Sequence, residues 1–136
     1  MGSAPTDRAR LAGRAIGWLL LAFLILDAGI KLVPIQPVLD TLAALGWPND
    51  PATARALGLG LLAIAALYAH SRFAPLGAVL LTGYLGGAVA THERIGSPLL
   101  THTLFGVYLG AAAWASLWLR DPRLRAILST TRGERQ

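Results

Sequence analysis

The chain has no cysteine, which excludes disulfides, thiolate nucleophiles and cysteine-ligated metal centres. Any redox role must therefore use a bound cofactor. Charge is also scarce, at 14% of residues against 54% hydrophobic, and the mean hydropathy is +0.54. Lysine occurs once, at Lys31. A water-soluble domain of this size needs a polar face on every helix, yet several segments are apolar all the way round for the ~20 residues that span a hydrocarbon core. The bilayer is the natural solvent, and the length suits one compact domain.

The spacing of apolar runs predicts an all-α, polytopic membrane four-helix bundle spanning residues 15–119. Residues 1–14 read as a disordered basic tail, with Arg8, Arg10 and Arg14 against Asp7. Its MGSAPT start matches the short myristoylation pattern, but the Arg-rich, Lys-poor composition suggests a bacterium. The first span covers about 15–33; no small-residue cleavage site follows it, so it reads as an uncleaved helix and not a signal peptide. Pro34 and Pro37 end it, and Val38, Leu39, Leu42 and Leu45 then recur at helical spacing, predicting an amphipathic helix over about 38–46 on the membrane surface. The second span is about 52–69, with Ala52, Ala56 and Gly60 as a small-residue stripe. The third and fourth spans are about 75–92 and 98–119, and residues 120–136 form a basic tail.

Basic residues set the expected orientation. Placing both termini and the turn between the second and third spans on one side collects nine arginines there: Arg8, Arg10, Arg14, Arg72 and the five beyond Leu119. Only Lys31, Arg55 and Arg94 fall on the other side. The positive-inside rule then puts both termini in the cytoplasm. The aromatic residues agree: Trp18, Tyr68, Phe73 and Trp118 fall at the cytoplasmic ends and Trp47 at the outer one.

The chain is organised around the hairpin LTGYLGGAVATHERIGSPLLTHTLFGVYLG. Each arm carries a GxxxG, Gly83 with Gly87 and Gly106 with Gly110, a spacing that bares a stripe of backbone for helix packing in lipid. The expected orientation gathers Asp27 and Lys31 from the first span with His92 and His102 from the hairpin toward the outer face. Asp27 precedes Lys31 by one turn, the favourable order for an i,i+4 ion pair, and charges at this depth face protein or water, not lipid. Tyr84 and Thr91 share a face of the third span. These six residues, Asp27, Lys31, Tyr84, Thr91, His92 and His102, are the candidate site. Each also has a plainer reading: Asp27–Lys31 as a structural pair with Lys31 reaching to the surface, His92 as a helix-end group, His102 as a packed histidine, and Tyr84 and Thr91 as interface hydrogen-bonders. A histidine pair suits a haem or a metal, but no further ligands cluster nearby, and no metal site is assigned.

The first span ending DAGIKL, the hairpin above and the closing WLRDPRLRAIL resemble the DoxX-like family of bacterial four-helix membrane proteins, over Gly13 to Leu128. The resemblance implies a bundle in the inner membrane and, in the wider family, membrane partners of redox enzymes, including small subunits associated with thiosulfate:quinone oxidoreduction. The expected role is an accessory or ligand-binding subunit with an outward-facing polar pocket for a small lipophile such as a quinone. The alternative is a small membrane enzyme or oligomeric transporter that uses Asp27 and His102 for proton transfer. Expected partners are the lipid bilayer and either a second copy of the chain or a membrane redox protein, with no nucleic acid.

Overall fold

In the computed structural model, which describes residues 6–130, every regular element among the described residues is helical. The order is α1 (Asp7–Leu32), α2 (Gln36–Ala44), α3 (Pro51–Ala69), α4 (Ala74–Arg94), a π-helical turn (Leu99–Thr103), α5 (Phe105–Arg120) and α6 (Pro122–Thr130). Helices α1, α3 and α4 are long and apolar enough to cross a membrane.

Two expectations about the termini change. Helix α1 starts at Asp7 rather than residue 15, so residues 7–14 are helical and not a disordered tail. Thr6 caps it by accepting from the Ala9 amide at 3.3 Å, and Asp7 in the first turn suits the positive end of the helix dipole. At the other end, α6 makes the first part of the basic C-terminal tail helical; residues 1–5 and 131–136 lie outside the described residues.

The apolar run expected as the fourth span is divided. Pro98 accepts from both the His102 and Thr103 amides, at 3.0 and 3.3 Å, and the Leu104 amide reaches back five residues to Leu99 at 2.8 Å. This wider turn shifts the register before α5 begins. Alone, the 16 residues of α5 rise only ~24 Å, short of the ~30 Å hydrocarbon thickness.

Helix α1 packs on α3 and α5, and α4 packs on the same two. Each junction holds a glycine where a side chain would collide. A Cβ at Gly13 would lie 2.9 Å from the Ser116 carbonyl, one at Gly58 2.9 Å from the Ala28 carbonyl, one at Gly77 2.5 Å from the Tyr68 amide, and one at Gly106 2.9 Å from Val89 Cγ2. Of the two GxxxG pairs, Gly106 therefore makes the close contact expected of it, and Gly110 touches only Leu85 Cδ1 at 3.9 Å. Gly83 and Gly87 do not pack: a Cβ at either would meet nothing within 4 Å. The stripe of Ala52, Ala56 and Gly60 is likewise exposed, and α3 presents Ala54, Gly58, Leu61 and Ala65 inward instead.

The apolar core runs along the bundle from the Arg120 end as far as Ala28 and Leu85. Leu24, Leu61, Leu81 and Leu117 are almost wholly buried there, around Tyr68. Tyr68 is thus a core residue and not part of an interfacial belt. Its hydroxyl donates to the Ala113 carbonyl at 2.9 Å, joining α3 to α5 across the core.

Candidate functional site

Toward the Lys31 end the packing opens. A cavity of about 560 Å³ lies among α1, α2, α3, α4, the π turn and α5, within the roughly 300–1,000 Å³ typical of small-molecule sites. All six polar residues singled out from the sequence line it. The room comes from α4, where Gly83 and Gly87 face the cavity without side chains. Glycines spaced for helix contact here leave bare backbone facing a space. Phe23 and Phe105 stand on its wall in an edge-to-face pair, with ring centroids 5.4 Å apart.

Asp27 and Lys31 project from the same face of α1, as their spacing requires, and Nζ sits 2.5 Å from Oδ1. Their side chains retain 28% and 20% exposure, so the pair borders the cavity rather than lying sealed in the core. The ammonium carries three donors, and one carboxylate contact leaves it free to bind a second acceptor. Tyr84 is part-buried opposite, its hydroxyl donating to the Leu57 carbonyl at 3.4 Å. That bond is long and readily exchanged for a better one. Thr91 is committed to its own helix, donating to the Gly87 carbonyl at 2.8 Å.

The two histidines come together although they belong to different elements. Their ring centroids are 5.9 Å apart. The left-handed Gly96, at φ +67°, turns the chain sharply after α4, and the π turn then swings His102 over His92. His102 is therefore exposed at the cavity wall and is not a packed histidine. His92 Nδ1 lies 3.0 Å from Ser97 Oγ, and His102 Nδ1 2.8 Å from Thr101 Oγ1. These contacts occupy one nitrogen of each ring and leave Nε2 of both for another partner. Among the described residues, no group of three metal-ligating side chains gathers.

The sequence reading missed one wall. Helix α2, expected as an amphipathic helix on the membrane surface, turns Val38, Thr41 and Leu42 toward the cavity, followed by Leu45 and Trp47. It packs on α3, and its last carbonyls are held from α4, where Arg94 Nη2 donates to the Leu45 carbonyl at 2.6 Å. The signal was present in its amphipathic spacing. An apolar stripe alone does not say whether lipid or a hollow protein interior will receive it.

The walls are mostly apolar, with a few donors among them, Lys31 Nζ, Tyr84 OH and the imidazoles. Such an arrangement suits a lipophilic molecule carrying acceptor oxygens. No curated protein and no solved structure matches the chain. The DoxX-like family model matches residues 15–116, which include all six site residues, the whole of α2, α3 and α4 and most of α1 and α5, and the chain therefore belongs to the DoxX-like family.

Proposed function

We propose that this DoxX-like membrane protein is an accessory or ligand-binding subunit of membrane redox metabolism that holds a quinone-like molecule. The π turn and α5 together form the fourth crossing of a four-helix bundle in the bacterial inner membrane. Both termini lie in the cytoplasm, as the arginine bias requires. The cavity then opens toward the extracytoplasmic face.

One observation carries the reading: charged, phenolic and imidazole groups from three separate elements meet on a single, largely apolar cavity. A quinone ring presents two carbonyl acceptors and apolar faces. Lys31 or a histidine donates to one carbonyl, Tyr84 stands near the ring, and Phe23, Phe105 and Leu109 meet the apolar parts. A ligand bound beside the Asp27–Lys31 pair receives a hydrogen bond from a group that is already charged, which is stronger than one from a neutral donor.

The test is a solvent extract and an absorption spectrum of protein purified in mild detergent. A co-purifying quinone near one equivalent supports the reading. Protein at full fold with no extractable lipophile, and no uptake of added quinone, contradicts it.

A further inference from the structure

At the opposite end of the bundle, a second pocket of about 280 Å³ is lined by Arg14, Ser71, Ala74, Leu117, Arg120, Asp121, Pro122 and Arg123. Three of these are arginines and one is a carboxylate. The carboxylate is already taken. Arg123 donates from Nε and Nη2 to the two Asp121 oxygens at 3.1 and 2.9 Å, and its Nη2 also reaches the Ser71 carbonyl at 2.8 Å. The pocket thus retains the positive charges of Arg14 and Arg120.

Arg120 pairs with no carboxylate among the described residues, and its place is unusual for a cation. Its guanidinium carbon lies 5.2 Å from the centroid of the buried Tyr68 ring. On α1 it lies beside Gly17, where a Cβ would collide with Ser116 Oγ at 2.7 Å and would sit at ordinary contact distance, 3.7 Å, from that carbon. Its Nε and Nη2 are buried and have no hydrogen-bond partner among the described residues. A ring face offsets part of the charge but accepts none of these in-plane donors. Leaving buried donors of a charged group unpaired is costly. A planar donor fork next to a second cation has the geometry for a phosphate oxygen pair.

The position suggests where such a group would come from. Trp18, Phe73 and Trp118 are exposed, and each lies within four residues of a lining residue. Exposed aromatic residues of this kind mark the headgroup level of a bilayer, and basic pockets between membrane helices at that level accept lipid headgroups.

We propose that this pocket is an anion site in which Arg120 and Arg14 take a phosphate group, supplied by the headgroup of an anionic phospholipid or as free phosphate. It is independent of the cavity at the Lys31 end. The test measures thermal unfolding of the full chain in neutral detergent, titrated separately with short-chain phosphatidylglycerol, short-chain phosphatidylcholine, inorganic phosphate, and chloride at matched ionic strength. Wild type should be stabilised by phosphatidylglycerol beyond phosphatidylcholine, by inorganic phosphate beyond chloride, or by both. A response to phosphatidylglycerol alone assigns a lipid headgroup, and a response to phosphate assigns a site open to the free anion. In Arg120→Lys the apparent affinity should fall about tenfold, the equivalent of one lost charge-assisted hydrogen bond. Arg14→Gln, at an exposed position that leaves the core intact, should weaken it similarly and decides the matter if Arg120→Lys does not fold. Arg55→Gln, near the start of α3 at the far end of the bundle, should respond as wild type. No stabilisation by either phosphate source over its control, or an unchanged affinity in Arg14→Gln, overturns the proposal.

Discussion

His92 and His102, ten residues apart on different helical elements, face one another with ring centroids 5.9 Å apart at the rim of the cavity. The juxtaposition depends on the π turn. Restoring a regular α-helical register would rotate His102 by a large part of a turn. The candidate site is thus built by a departure from helical regularity, and its two sides respond differently to substitution.

Asp27 and Lys31 should be energetically coupled. Replacing either alone leaves a partly desolvated charge without its partner, at a cost of roughly 1 to 2 kcal/mol, below the ~3 to 5 for a fully buried pair because both side chains reach water. Asp27→Asn with Lys31→Met should recover most of that stability without recovering ligand retention. Unfolding midpoints and extracted ligand, compared across the two single variants and the double variant, check this. A double variant equal to wild type in both respects would show that the pair has no role in the site.

The glycines should separate into two classes. Gly77→Ala and Gly58→Ala drive a methyl group into backbone atoms of a neighbouring helix and should lower stability by roughly 1 to 3 kcal/mol through overpacking. Gly87→Leu places its side chain in the cavity, so the fold should persist while ligand is excluded. Melting curves and ligand content together distinguish the classes, and equal destabilisation of all three variants would remove the distinction.

That distinction marks how far the sequence could be read. Charges and histidines inside apolar runs are rare enough to be conspicuous, and all six chosen residues line one cavity. Glycine spacing reports only that backbone is bare. At Gly106 the bare surface receives Leu85 and Val89, whereas at Gly83 and Gly87 it receives no neighbour. Which of these happens depends on the crossing of whole helices, information that lies far from the motif. Tyr68 departs from its expected place for a related reason: an aromatic near a helix end suits an interfacial belt, but its burial is fixed by Gly77, on which its backbone packs, and by Ala113, forty-five residues further on, whose carbonyl accepts from its hydroxyl. The position of α2 was equally invisible, since lipid and a hollow interior ask for the same apolar stripe.

Acid should weaken the contact that Asp121 makes at the Arg120 end of the bundle. The hydrogen bond from Arg123 holds the Asp121 carboxyl below its ordinary value of 3.8. A carboxylate whose folded value is lowered contributes stability above its unfolded value, and that contribution is lost as pH falls through the folded one. The difference in melting temperature between wild type and Asp121→Asn should stay constant above pH 3.8 and shrink below it. A difference that grows on acidification would contradict the assignment.

Reporter fusions test the orientation. A fusion after Leu128 should report the cytoplasm and one near Ser97 the opposite side, because eight arginines lie in the terminal segments and a ninth, Arg72, in the turn expected on the same side. The same compartment for both fusions would refute four crossings.

The central claim, that the cavity at the Lys31 end binds a lipophile with carbonyl acceptors, is tested most directly by titrating a short-chain benzoquinone into purified protein and following tryptophan fluorescence. Trp47 lines the cavity. Saturable quenching near one equivalent is expected in wild type, lost in Gly87→Leu at unchanged melting temperature and weakened in His102→Ala. Quenching that never saturates, or that is identical in wild type and Gly87→Leu, would contradict the account.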